Sequence, residues 1–236
     1  KYYKEKYIKD NILIVVSGNF SKEKIIEKID EYFNKLEEKK LDLIDDKIFN
    51  FKSGEMSYQK DISQVNICIS YNGKEYGNKD RIYNDIAANV IGGSMSSRLF
   101  QEIREKKGLA YSVYTYNQYY NKGGVISTYI GTNIENYKDA VKITLNEFKK
   151  LKEKGITKFE LQKAKNKYLS KIAFSMENPR SRMSILGNYF TRKGKILNIE
   201  DLKEEIKAVN LEKINNYLNK EFLEPNITIL GNIKGR

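Results

Sequence analysis

The chain contains no histidine and no tryptophan, and it has one cysteine and two prolines among 236 residues. Zinc sites in proteins are built mainly from cysteine thiolates and histidine imidazoles, so this chain cannot form a typical one alone. A Ser-His or Cys-His nucleophile pair is excluded for the same reason. The single cysteine, Cys68, excludes an intrachain disulfide and leaves the compartment open. Because it lies in the strand-like segment QVNICISY, we interpret it as a small core residue.

Long apolar runs are also missing. None approaches the roughly 20 residues that a membrane-spanning helix needs. The first residues, KYYKEKYIKDN, contain no apolar signal core followed by small cleavage residues. We therefore expect no membrane partner, and our expectation for the compartment is the cytoplasm.

The formal net charge is +12, from 43 basic and 31 acidic residues. A basic chain can bind nucleic acid, but here the lysines are spread along the whole sequence and mixed with acidic residues, as in EFKKLKEKG. No nucleic-acid-binding motif is present. We expect no nucleic-acid partner, and a basic nucleic-acid-binding domain remains the most distant alternative.

The pattern of apolar residues divides the chain. NILIVVSGN (11–19) predicts a buried strand, and a helix capped by Ser21 follows it, with an apolar face that includes Ile25 and Ile29. Residues 37–57 are charged and irregular, which indicates a linker. The last strand, NITILGN, begins with Asn and ends with Gly-Asn as the first one does, about one domain length further on. This repeat predicts that 1–36 are the tail of a first domain and that 58–236 are a complete second domain, unless the likeness arose by chance.

The second region alternates strand and helix patterns. They predict, in order, strand SQVNICISYNG, helices 78–91 and 95–106, a hairpin of GLAYSVYTYNQYY and GGVISTYIGT, helices 134–153 and 157–176, helices opened by Pro179 and Asn210, and strand NITILGN. Strands close in sequence favour antiparallel pairing. The predicted fold class is therefore α+β, a mostly antiparallel sheet with helices packed on one face.

One segment carries a family resemblance. GGSMSSRLFQEIREKKGLAYSVYTYNQYYNKGGVISTYIGT resembles the hallmark of the second domain of the pitrilysin/insulinase family of zinc metallopeptidases, which includes mitochondrial processing peptidase subunits and small bacterial homologues. The resemblance implies half of a metallopeptidase clamshell. It also implies that the family's H-x-x-E-H zinc motif lies in a first domain, upstream of Lys1. Zinc is then expected in the parent assembly and no cofactor in this chain. The implied partners are the missing upstream catalytic domain, a homo- or heterodimer partner and a peptide substrate.

Arg104 and Tyr111 match a family pair spaced seven residues apart on the half that faces the zinc. The resemblance implies that they act in trans, donating hydrogen bonds to the negative charge that develops on the scissile carbonyl oxygen. The alternatives are structural: Arg104 interacting with the end of its helix, and Tyr111 acting as a core aromatic residue. Gly92 and Gly93 are candidate substrate contacts, although glycines also serve turns and close backbone approach.

Two family-related functions follow from these observations. The first is the non-zinc-binding part of a pitrilysin/insulinase-type zinc metalloendopeptidase, which forms chamber wall and substrate contacts and is inactive alone. The second is a structural or assembly subunit of a processing-peptidase-like complex without catalysis.

Overall fold

The computed structural model describes residues 1–39 and 49–233. The chain forms two compact units. The sheet unit comprises Lys47–Leu169 and Glu200–Arg236, and the small unit comprises Lys1–Asp46 and Ser170–Ile199, in each case as far as the described residues extend.

The sheet unit is built on five strands, and most of their pairings are antiparallel. They are β1 (Gly54–Gln59), β2 (Val65–Gly73), β3 (Ala110–Tyr120), β4 (Gly123–Thr132) and β5 (Asn226–Gly231), in the spatial order β1-β5-β2-β4-β3. β1 pairs with β5 in parallel, and the other neighbours pair in antiparallel fashion. The predicted fold class and the β3–β4 hairpin are confirmed.

The helices begin and end close to where the sequence pattern placed them. They are α1 (Tyr2–Lys6), α2 (Lys22–Phe33), α3 (Arg81–Gly92), α4 (Tyr137–Lys154), α5 (Lys158–Glu177), α6 (Pro179–Lys193), α7 (Ile199–Ala208) and α8 (Leu211–Leu218), with a 3-10 turn at Lys9–Asn11 and a π-helix at Phe100–Glu105. The Asn210 side chain accepts a hydrogen bond from the Lys213 amide at 2.8 Å, and Gly155 ends α4 with φ of 68°. The helix starting at Asn210 is therefore capped as predicted, and Gly155 ends α4 with a positive φ that favours glycine. None of the described helices is both long and apolar enough to cross a membrane.

The core lies between one face of the sheet and the helices of the sheet unit. Along β2 the burial alternates, and Val65, Ile67 and Ile69 point into this core. The opposite positions, which include Cys68, are half-buried or exposed. The interpretation of Cys68 as a core residue is therefore wrong, because the two-residue period of the strand places it on the other face.

The predicted strand at 11–19 is also wrong. Residues 12–17 belong to no strand, and Leu13, Ile14 and Val16 are 43%, 39% and 38% exposed. No described strand pairs with this segment, so its backbone has no ladder partner among the described residues. In the small unit as a whole, the described hydrophobic residues that are buried are Ile8 and Leu197.

Residues 40–48 of the predicted linker at 37–57 lie outside the described residues. Its last residues, 54–57, form the first part of β1. Every residue of β1 is exposed, so the segment GEMSYQ gives no alternation of apolar and polar residues from which a strand can be predicted.

An ion pair joins the π-helix region to the start of α5. Arg98 Nε lies 2.7 Å from Glu160 Oε1, and a second guanidinium nitrogen lies 2.9 Å from Glu160 Oε2. Burial alone raises the pKa of Glu160, but the hydrogen bonds from Arg98 and Thr157 outweigh it, and the net pKa lies below the ordinary 4.5. A bidentate pair of this kind is stronger than a typical exposed ion pair.

Glu160→Gln is therefore expected to lower the free energy of unfolding at pH 7 by about 1–3 kcal/mol. The folded-state pKa of Glu160 is lowered, so its stabilisation is present above the ordinary pKa of 4.5 and is lost as pH falls through the lower folded value. Urea unfolding at pH 7 and pH 3 measures the difference in the free energy of unfolding between Glu160→Gln and the unaltered chain. This difference should shrink at the lower pH. Glu153→Gln, whose carboxylate is 3.9 Å from Lys149 and exposed, serves as a control with little effect at either pH. An equal difference in the free energy of unfolding at both pH values would contradict a lowered pKa for Glu160 in the folded chain.

Candidate functional site

Arg104 lies on a short π-helix. The Lys106 amide donates to the Gln101 carbonyl at 2.9 Å, a bond that spans five residues and widens this turn. Such π turns are frequent at functional sites. The Arg104 side chain is exposed, and its guanidinium carbon lies 5.0 Å from the centre of the Phe100 ring. This contact orients the guanidinium while leaving its N–H donors available to solvent.

The chain then turns sharply towards the sheet. Gly108 has φ of 60°, which a residue with a side chain adopts at a cost, and the Leu109 amide donates to the Ile103 carbonyl at 2.8 Å. This turn connects the π-helix to β3 within a few residues. The turn therefore links the π-helix that carries Arg104 directly to the strand that carries Tyr111.

Tyr111 is the extra residue of a β-bulge. Ala110 pairs with Thr132 and Ser112 pairs with Gly131, so the register shifts at Tyr111 and leaves it without an opposite residue. Its side chain is 84% exposed, which excludes the core role considered from the sequence. Bulges bend a strand and redirect a side chain, and they are frequent next to active sites. Both predicted residues are therefore presented to solvent by local departures from regular structure.

A half-buried polar cluster fixes the far end of β3 to α3. Tyr119 Oη donates to Asp85 Oδ1 at 2.6 Å, and Asn117 Nδ2 donates to the same oxygen at 3.0 Å. The Arg81 guanidinium lies 5.3 Å from the centre of the Tyr119 ring. Burial and then the Asp85 carboxylate raise the pKa of Tyr119, which therefore remains a hydrogen-bond donor. Sequence reasoning missed this cluster, although an aspartate within the apolar helix IYNDIAANVI is the signal that points to it.

Gly92 and Gly93 have packing explanations. A Cβ atom on Gly92 would lie 2.3 Å from Thr115 Oγ1, and one on Gly93 would lie 2.6 Å from Asn89 Cα. The Gly93 carbonyl also accepts a hydrogen bond from Lys167 Nζ. Gly92 lets the end of α3 approach β3 closely, and Gly93 packs against the preceding turn of α3 itself. A substrate contact at this position stays a prediction.

Comparison with known proteins identifies the family. The model of the "Peptidase M16 inactive domain" matches residues 1–168. The chain belongs to the peptidase M16 family. This assignment confirms the resemblance to pitrilysin/insulinase peptidases that the sequence predicted.

Relatives of this M16 chain occur in several bacteria. It is 34% identical over 95% of its length to an uncharacterized zinc protease of Bacillus subtilis, and 31% identical over 92% of its length to one of Rickettsia felis. It covers 54% and 52% of those proteins, so the chain spans about half the length of the curated relatives it matches. Within the family, an inactive domain implies a catalytic domain or subunit as its partner.

Solved structures share the M16 fold at low sequence identity. A protease from Helicobacter pylori superposes with a TM-score of 0.80 at 19% identity, covering 91% of this chain and 53% of that one. A peptidase M16 inactive domain from Pseudomonas fluorescens gives the same TM-score and identity, covering 91% and 52%. These likenesses establish the fold.

The curated relatives are named zinc proteases, but the metal-ligating side chains of this chain do not fit a zinc site. No group of three or more Cys, His, Asp or Glu side chains is arranged to hold a metal ion in residues 1–39 and 49–233. The sequence contains no histidine, and its one thiol, Cys68, lies near Ser70 and no second sulfur donor.

Proposed function

We propose that the chain is the non-zinc-binding part of an M16 metalloendopeptidase and that it provides chamber wall and substrate contacts to a catalytic domain. The observation that carries this proposal is the presentation of Arg104 and Tyr111 by two adjacent irregularities, the π turn and the bulge. Regular helix and strand geometry would suffice for a purely structural segment. Backbone irregularities are retained where they place a side chain for function.

The chemistry of the pair suits peptide cleavage. As the scissile carbonyl is attacked, negative charge develops on its oxygen, and a guanidinium and a phenol are both donors that stabilise it. Neither side chain has to move a proton for this role. Both donors are solvent-facing in the chain itself, so water leaves only when a second domain closes over the peptide.

The small unit supports the need for a partner. Its apolar side chains line a groove of about 270 Å³ that includes Ile12, Ile14, Ile29 and Phe33. Ile14 and Phe33 remain exposed there, and apolar side chains left uncovered together are candidates for burial against a partner. We propose that residues 1–36 complete a first, catalytic domain and that this domain covers the groove.

The purified chain is accordingly expected to hydrolyse no peptide, whereas a longer protein that includes the catalytic domain should do so. A fluorogenic peptide library incubated with each protein, with and without a chelator, measures this difference. Chelator-sensitive turnover by the chain alone would contradict the proposal. A longer protein that assembles but never cleaves peptides would instead favour the structural or assembly subunit.

A further inference from the structure

A groove along the exposed side of α4 is lined largely by lysines. It has a volume of about 600 Å³ and lies between that helix and the turn that follows the π-helix. We call it the basic groove. Its lining residues are Lys107, Asp139, Lys142, Ile143, Leu145, Asn146 and Lys149. Three ammonium groups therefore line the groove against one carboxylate, that of Asp139.

Neighbouring side chains do not neutralise the positive charge of the basic groove. Lys107 and Lys142 form no hydrogen bond or ion pair with any residue of the described part of the chain. Lys149 reaches the Glu153 carboxylate only at 3.9 Å, and both side chains are exposed. An exposed pair at that distance contributes little to stability. The groove consequently keeps a positive potential that attracts anions.

The floor of the basic groove is apolar, because Ile143 and Leu145 lie half-buried there and pack against the core of the sheet unit. Apolar walls concentrate the electric field of the charges around a cleft. Asn146 is exposed beside them, and its amide both donates and accepts hydrogen bonds, as a peptide backbone does. The groove therefore offers cations for acidic side chains and an amide for a peptide main chain.

The lysines also distinguish the basic groove from a surface that another domain covers permanently. Lysine is depleted in protein interfaces, and burial of an ammonium group without a partner is costly. A peptide that lies in an exposed groove can pair with these cations while they stay partly hydrated. The composition therefore favours reversible binding of an acidic ligand over permanent burial.

From these observations we propose that the basic groove binds an acidic segment of the peptide substrate. The proposal rests on the proposed function, because it identifies the class of peptide that the assembly takes. Lys107 follows Arg104 by three residues, in the turn where the Gly108 amide donates to the Arg104 carbonyl at 3.2 Å. A peptide cleaved beside Arg104 and Tyr111 thus needs only a short further stretch to reach the groove.

The spacing of the lysines sets the length of the acidic segment. Lys142 and Lys149 are seven residues apart on α4, which corresponds to about 10.5 Å along the helix axis. An extended peptide covers this distance with about three residues. A run of about four acidic residues therefore spans both lysines.

Calorimetric titration of the chain with three blocked peptides of about ten residues tests this specificity. The first peptide contains four consecutive glutamates, and the others carry four glutamines or four lysines at the same positions. At about 50 mM salt, the glutamate peptide is expected to bind at least about tenfold more tightly than either of the others. Its affinity should fall as the salt concentration rises, because ions screen exposed charges. Equal binding of the glutamate and glutamine peptides would overturn the proposal.

Variants of single lysines locate the binding, since a chain of net charge +12 attracts any acidic peptide weakly. Lys142→Glu is expected to weaken binding of the glutamate peptide about tenfold, and Lys142→Met, which keeps the apolar stem, should weaken it less. Lys213→Glu is the matched control. It makes the same change of net charge at an exposed position on α8 that does not line the groove, and it should alter the affinity less than about twofold.

Circular dichroism confirms that each of these variants is folded. Equal losses of affinity in Lys142→Glu and Lys213→Glu would contradict the proposal, because the attraction would then come from net charge and not from the groove.

Two further titrations test other occupants of the basic groove. Loss of glutamate-peptide binding in the longer protein that includes the catalytic domain would make that domain the occupant. A single-stranded oligonucleotide that binds more tightly than the glutamate peptide, and that Lys142→Glu releases, would make nucleic acid the ligand. Either result would reject the proposal. Because binding is measured without turnover, its failure rejects the basic groove alone, whereas the proposed function fails in the hydrolysis assay.

Discussion

Replacing Arg104 by alanine in the assembled peptidase is expected to lower kcat about 100-fold or more, with a smaller change in KM. Removal of one preorganised donor from an oxyanion site typically costs roughly 3–4 kcal/mol of transition-state stabilisation. The interaction strengthens as charge develops on the carbonyl oxygen, so the loss falls on kcat rather than on ground-state binding. Steady-state kinetics with a fluorogenic peptide measure both constants.

Tyr111→Phe gives an independent test of the same site, because it removes the hydroxyl donor and keeps the ring. Tyr111→Phe is expected to lower kcat, as Arg104→Ala does. Lys213→Ala, an exposed cation on α8, and Tyr32→Phe on α2 are the matched controls and should retain activity. Since Arg104 and Tyr111 are both exposed, neither change should affect the free energy of unfolding. Full turnover in both Arg104→Ala and Tyr111→Phe would reduce the pair to structural residues.

Phe148→Ala is expected to produce the largest loss of stability, about 3–5 kcal/mol. Phe148 is 1% exposed, and its ring lies 4.5 Å from Tyr71 and 5.3 Å from Phe222. Deleting the ring leaves a cavity between α4 and the sheet that the surrounding strands cannot collapse to fill. Urea unfolding followed by circular dichroism measures the change.

Phe159→Ala is the matched control for that prediction, because Phe159 lies in the first turn of α5 and is 75% exposed. Its effect should stay within about 0.5 kcal/mol. A loss at Phe148 no larger than the loss at Phe159 would mean that the aromatic cluster does not form the centre of the core.

Elements with strong periodicity were predictable from the sequence. The apolar stripe of α4, the stop at Gly155 and the alternation in β2 each follow from a local pattern that one packed face imposes. The family was predictable too, because the segment from Gly92 to Thr132 combines a glycine pair, a short helix and a hairpin in an order that few folds share.

Other features depend on contacts that no local pattern records. β1 is exposed throughout and exists because β5 offers it a parallel partner. The segment at 12–17 has the apolar, β-branched composition of a strand but lacks a described neighbour to pair with. The π turn and the bulge at Tyr111 are shifts of one residue in hydrogen bonding, which composition and periodicity do not resolve. The family resemblance pairs Arg104 with Tyr111, and the exposure of both side chains follows only from the coordinates.

The position of β5 between β1 and β2 bears on how the chain is made. β5 follows the other four described strands along the chain, yet it joins β1 to the remainder of the sheet. Until β5 is synthesised, one edge of β2 stays unpaired and the apolar side of the nascent sheet is incomplete. Pairing over so long a stretch of chain slows folding, and the open edge gives chaperones an opportunity to act before β5 arrives.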